Sequence, residues 1–148
     1  MITSVFLCHN HADKPFVKKL ARDLDSHSVK CWLDEAEMKI GDSLIQKIRE
    51  GIDNVDFFAI ILSPNSINAP WVLKELDVAM NFEIGGKPIK VLPLMLKECD
   101  PPGFLIGKMY GDFKDESKYL ESFKLLVNSI GVTFNKNAMN SERCINNL

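Results

Sequence analysis

Glu75 is the acidic side chain whose neighbours best suit it for chemistry. It lies in Trp71-Val72-Leu73-Lys74-Glu75-Leu76, a stretch that reads as a helix from about Pro70 to Phe82. At about 100° per residue, Val72, Leu76, Ala79 and Met80 form one apolar stripe, and Lys74, Asp77 and Asn81 form the opposite, polar face. Glu75 belongs to neither group. Trp71 stands one turn before it, and Val78, Ala79 and Phe82 stand one turn after. Such surroundings take a carboxylate partly out of water and disfavour its charge. A cation forming beside it would relieve that cost. Helix position alone fits a plainer reading better, an ordinary boundary residue paired with a lysine, because ion pairs also perturb carboxylates. Asp77 falls on the solvated face and Glu83 where the helix frays.

A second group is Cys8-His9-Asn10-His11. Cysteine beside histidine suggests a nucleophile or a metal cluster. Adjacent strand residues point to opposite faces, however, which works against shared ligation. A Cys–His pair also lacks an identifiable third residue to orient it. The plainer reading is that Cys8 ends a buried strand while His9 and His11 line a polar turn. The four cysteines, Cys8, Cys31, Cys99 and Cys144, form no CxxC pair and match no zinc spacing. Cys8 and Cys31 read as core thiols, and a reduced, cytoplasmic compartment fits them. His27, between Ser26 and Ser28, is expected in solvent.

The elements that must position these groups alternate between apolar runs and helical patterns. Strands are expected at Val5–Cys8, Val29–Leu33, Phe57–Leu62, Ile89–Leu94 and Met109–Phe113. The continuous apolar run of Phe57–Leu62 suits a central strand buried on both sides. The first helix spans Lys14–Leu24, capped by Asp13 with Pro15 in its first turn. The second follows Asp42 or Ser43, with Leu44, Ile45, Ile48 and Ile52 on one face. The third contains Glu75. The last, capped by Asp115, carries Tyr119, Leu120, Phe123, Leu126, Val127 and Ile130 and ends at Gly131. Asp34–Asp42 is an acidic, glycine-punctuated loop, and Lys97–Gly107 is irregular. One domain, 1–133, is expected, followed by a polar tail or linker start over 134–148.

This alternation predicts an α/β three-layer sandwich, a five-stranded parallel sheet with helices on both faces. Ligands in such folds bind beyond the carboxyl ends of the strands, near the point where strand order reverses. That rule selects the turn Cys8–Asp13, the loop Asp34–Ser43 and the region Ser63–Glu75.

Composition narrows the function classes. The 148 residues are 46% hydrophobic and 26% charged, enough for a sizeable core. A net charge of −2 argues against a phosphate-backbone binder, so no direct nucleic-acid partner is expected. No secretory leader is visible, and no apolar run is long enough to span a bilayer, so no membrane partner is expected. There is no G-x-G-x-x-G element of a Rossmann dinucleotide site.

Three segments carry a resemblance. Val5-Phe6-Leu7-Cys8-His9-Asn10-His11-Ala12-Asp13 is similar to the opening strand and turn of TIR (Toll/interleukin-1 receptor) domains. Cys31-Trp32-Leu33-Asp34, followed by Gly41-Asp42-Ser43-Leu44, resembles that family's second strand and BB loop. Leu62-Ser63-Pro64-Asn65-Ser66, followed by Trp71-Val72-Leu73-Lys74-Glu75-Leu76, resembles its serine-proline turn and the Trp-xxx-Glu-Leu of its third helix. Their order and spacing identify the chain as a member of that family, bacterial in type, over Ser4–Gly131.

The resemblance implies a flavodoxin-like TIR fold and reverses the reading of Glu75. Some TIR domains are adaptors acting through TIR–TIR assembly. Others hydrolyse or cyclise NAD, and there the glutamate of the Trp-xxx-Glu motif is catalytic. It maps onto Glu75, with Trp71 as pocket wall. Asp34, Gly41 and Ser43 would frame the loop side of the NAD site, and Cys8, His9, Asn10 and Ser63 the strand ends. NAD would be the substrate, with no cofactor and no metal. The products would be nicotinamide and ADP-ribose or a cyclic isomer, in immune or antiphage signalling. Self-association would run through the 34–43 loop. The first turn departs from the family: some NAD-cleaving members carry a tyrosine and arginines where this chain has Cys8-His9-Asn10-His11. The alternative is a non-enzymatic adaptor. A phosphoacceptor receiver domain shares the strand order, but the residues after the first and third strands, Cys8-His9-Asn10 and Leu62-Ser63, exclude it.

Overall fold

The computed structural model describes residues 2–33, 55–68, 89–101, 105 and 109–139. Five parallel strands form one sheet: β1 (Ser4–Cys8), β2 (Lys30–Leu33), β3 (Phe57–Leu62), β4 (Lys90–Met95) and β5 (Gly111–Asp112), in the order β2-β1-β3-β4-β5. Two α-helices lie within the described residues, α1 (Lys14–Ser26) and α2 (Tyr119–Ser129).

Alternate side chains of β1 and β3 serve two separate cores. Val5, Leu7, Ala59 and Ile61 pack with α1 and α2, through residues such as Val17, Leu20, Phe123 and Val127. Phe6, Cys8, Phe58, Ile60 and Leu62 belong to the second core, on the other face of the sheet. All of β1, and β3 beyond Phe57, is buried, so both faces of the sheet are covered. Full burial on two sides is what continuous apolar runs encode in a parallel sheet. This is the five-stranded parallel sheet, covered on both faces, that the alternation of elements predicts. The two middle helices expected from the sequence lie outside the described residues. No helix among the described residues is long and apolar enough to cross a membrane.

Both described helices end in the same way. At the end of α2, the Val132 N–H donates to the Val127 carbonyl at 2.8 Å and the Gly131 N–H to the Asn128 carbonyl at 3.2 Å, with Gly131 at φ +77°. At the end of α1, Val29 donates to Leu24 at 3.0 Å and Ser28 to Asp25 at 2.9 Å, with Ser28 at φ 62°. Both are Schellman closures, in which one left-handed residue lets the chain reverse onto the last carbonyls.

Four sequence expectations change. The final strand shrinks from Met109–Phe113 to Gly111–Asp112, because β5 pairs with β4 only at Leu94 and Met95 and Met109 projects into solvent. Asp115 caps a 3-10 turn, Glu116–Lys118, ahead of α2. Packing continues past residue 133: Met139 is buried in the first core, and Phe134 lies against it. His27 is buried rather than solvated. Its Nδ1 lies 2.8 Å from the Asp23 carbonyl oxygen, and the Asn135 N–H donates to its Nε2 at 3.0 Å. These partners place the ring proton on Nδ1 and leave the Nε2 lone pair free to accept. The ring stacks on Phe134 and meets Phe123 edge-on.

Candidate functional site

The strand order reverses between β1 and β3, so the crevice of this doubly wound sheet opens at their carboxyl ends. Cys8 closes β1 and is fully buried, with its side chain in the second core. His9 follows, only 4% exposed, its Nδ1 3.1 Å from the Leu7 carbonyl oxygen. Asn10 caps the 3-10 turn His11–Asp13, its Oδ1 accepting from the Ala12 N–H at 2.9 Å. His11 is exposed. The turn therefore buries one histidine and solvates the other.

Asp13 occupies the N-cap position of α1, yet its side chain makes no cap hydrogen bond. The carboxylate instead accepts from Ser63 Oγ, at the end of β3, at 2.5 Å. It is 4% exposed, and Ser63 is fully buried. Ser63 Oγ also accepts from the Ser66 N–H at 3.2 Å. Ser66 Oγ accepts from the Ser63 N–H at 2.9 Å and donates to the Ser63 carbonyl at 3.2 Å. A hydrogen bond to an ionised acceptor is about twice as strong as a neutral one, which helps keep a buried carboxylate in place.

Cys31 and Cys99 are poor nucleophiles. Burial pushes the Cys31 thiol up to about 12, with the Asp25 charge adding to it. Desolvation likewise raises Cys99, helped by Glu98, Asp100 and Asp13. Neither carries appreciable thiolate near neutrality. No group of three or more metal-ligating side chains comes together among the described residues.

A groove of about 420 Å³ opens between α1 and α2, lined by Phe16, Lys19, Phe113 and Tyr119. Among the candidate residues named from the sequence, it includes none. It lies against the first core, whereas Cys8 faces the second.

Of the sequence candidates, the structure brings Cys8, His9, Asn10 and Ser63 to one edge, the carboxyl ends of the adjacent strands β1 and β3. Asp34, Gly41, Ser43, Trp71 and Glu75 lie outside the described residues. Asp13 and Ser66 were not among the candidates. The Ser63…Ser66 spacing was a usable signal for the second, whereas Asp13 read locally as a helix cap.

A family model described as "TIR domain" matches residues 5–127. The chain belongs to the TIR domain family. It is 36% identical over 91 residues to the NAD(+) hydrolase TcpA of Theionarchaea archaeon (strain DG-70-1), covering 61% of this chain and 27% of that protein. It is 37% identical over 94 residues to the 2' cyclic ADP-D-ribose synthase AbTIR of Acinetobacter baumannii (strain 1295743), covering 63% of this chain and 35% of that protein. The matched part thus spans about a third of the length of these relatives. The fold is similar to the TIR domain of the Toll-related receptor TRR-2 of Hydra magnipapillata, with a TM-score of 0.72 and 19% identity over 85% of this chain and 96% of that one.

Proposed function

We propose that this TIR domain cleaves the bond between nicotinamide and ribose in NAD, with Glu75 as the catalytic carboxylate. The observation that carries the reading is its family membership together with relatives named NAD(+) hydrolase and 2' cyclic ADP-D-ribose synthase at about a third identity. The Trp71-xxx-Glu75 pair supplies the side chains the reaction needs.

One carboxylate suffices because of the leaving group. The nicotinamide ring of NAD is cationic and departs as a neutral molecule, taking the electron pair of the broken carbon–nitrogen bond. No general acid is required, unlike ordinary glycoside cleavage, where a second carboxyl group protonates the leaving oxygen. Positive charge develops on the ribose instead. A fixed carboxylate stabilises that oxocarbenium-like cation more than the ground state. Attack by water, which gives up a proton, yields ADP-ribose; attack by a hydroxyl of the same molecule yields a cyclic isomer. Trp71 would offer a flat face to the nicotinamide or a ribose. Cys8, His9, Asn10 and Ser63 would form the strand-end wall, and Asp34, Gly41 and Ser43 the loop wall. Self-association through the 34–43 loop and a role in immune or antiphage signalling complete the proposal.

The test incubates NAD with concentrated chain, beside Glu75→Ala, and separates products by chromatography and mass. Nicotinamide from the native chain alone supports the enzyme, and the second product separates hydrolysis from cyclisation. Intact NAD under crowding that forces assembly overturns it in favour of an adaptor.

A further inference from the structure

The β1–β3 ladder stops at the pair Cys8↔Ile60. Beyond it, β3 remains tied to β4 through Leu62↔Met95 and the Leu96 N–H on the Leu62 carbonyl. On the β1 side, across the reversal of strand order, the bond from Ser63 Oγ to the Asp13 carboxylate takes over where the ladder ends.

The direction of that bond is determined by its neighbours. The Ser66 N–H donates to Ser63 Oγ, so the Ser63 hydroxyl proton is left for Asp13. The Ser66 hydroxyl is spent within the same turn, on the Ser63 N–H and carbonyl. Among the described residues, the side-chain link from this turn to another element is the bond to Asp13. Asp13 in turn sits at the N-terminus of the 13-residue helix α1, where the helix dipole favours an anion. Its own N–H is held by the Asn10 carbonyl at 2.9 Å, so the carboxylate is anchored to the turn that also carries His9 and Asn10. Along the sequence, Trp71 lies five residues and Glu75 nine residues beyond Ser66.

We infer that Asp13 is a positioning residue for NAD cleavage: its buried carboxylate holds the Ser63–Ser66 turn, nine residues before Glu75 in the sequence, against the β1 turn that carries His9 and Asn10. This rests on the functional reading above. It assigns Asp13 no contact with substrate. An error of about 1 Å in placing a catalytic group can cost about 10²-fold in rate, so the effect belongs in kcat rather than KM.

The experiment uses the full 148-residue chain, with NAD turnover measured per folded molecule well below the unfolding midpoint. In parallel, hydrogen exchange is followed at the Ser63 and Ser66 amides. Asp13→Ala is expected to lower kcat by about 10- to 100-fold with KM within about threefold of native. Asp13→Asn, whose amide oxygen still accepts from Ser63, should recover most of that loss. Exchange at Ser63 and Ser66 should quicken in Asp13→Ala. A folded Asp13→Ala with native kcat overturns the inference, whatever its unfolding midpoint, because a purely structural role lowers the midpoint alone. Failure of Asp13→Asn to recover activity overturns it as well. A native chain that leaves NAD intact overturns the functional reading and the role in turnover with it. Unchanged exchange at Ser63 and Ser66 in Asp13→Ala overturns the hold itself, even if the enzyme is active.

Discussion

Replacing His27 by alanine tests the packing of the chain after α2. The ring's two main polar partners are the Asp23 carbonyl at 2.8 Å and the Asn135 N–H at 3.0 Å, with Ser26 Oγ also 3.1 Å from Nδ1. Each such bond contributes about 1 kcal/mol net. The ring also stacks on Phe134, with centroids 5.7 Å apart, and meets the Phe123 edge at 5.1 Å. Aromatic pairs of this kind add about 0.5–1.5 kcal/mol each. Together the loss is about 3–5 kcal/mol. For a domain near 150 residues, each kcal/mol shifts the midpoint by about 2–4 °C, so the melting temperature should fall by roughly 6–20 °C. Circular dichroism melts at neutral pH measure this, and hydrogen exchange at the Asn135 amide reports the bond itself. His27→Gln, able to restore one acceptor, should recover about 1 kcal/mol of the loss. An Asn135 amide that exchanges equally in native and His27→Ala chains would refute the reasoning, as would a midpoint drop under about 3 °C.

Other substitutions test other parts of the structure. Ser28 holds φ 62° at the Schellman position of α1, so Ser28→Gly should stabilise the domain by about 0.5–1 kcal/mol, read as a higher denaturant midpoint with an unchanged m-value. Burial raises Cys31 to about 12, so at pH 9 it should alkylate far more slowly in the folded chain than in the unfolded chain. The same shift links to stability. Above the ordinary thiol value the unfolded state loses its proton first, so stability falls as pH rises from about 9 toward 12. Cys31→Ala should flatten that part of the curve, seen in denaturant midpoints across the alkaline range.

The sheet was legible because its code is local. Phe57–Leu62 is apolar at every position, and burial on both sides requires no less. The helix ends were legible at Gly131 for the same reason. His27 was misread because its sequence neighbours, Ser26 and Ser28, are polar, whereas the bond from Asn135 comes from 108 residues away. Asp13 stands where a cap belongs, and a serine 50 residues distant outcompetes the local N–H groups for its carboxylate. Asp23 shows the same effect. It lies in a helix interior, yet its carboxylate is buried beneath the Tyr119 hydroxyl, 96 residues on. In each case a tertiary hydrogen bond overrides a local preference that the sequence displays openly. The proposal for Glu75 rests on a different kind of signal. Helical periodicity placed it at a boundary and favoured an ordinary role, and only the Trp71-xxx-Glu75 motif in its family setting singled it out.

The central claim is that a single carboxylate on this chain breaks the nicotinamide–ribose bond. The most direct measurement is the initial rate of nicotinamide release from NAD by the native chain and by Glu75→Gln, at equal concentrations of folded protein. Glutamine keeps the size of the side chain and one acceptor oxygen and removes its charge. The account predicts steady release by the native chain and a loss of about 10²- to 10³-fold in Glu75→Gln, the scale of removing one transition-state electrostatic contact. Equal rates from the two proteins would contradict it.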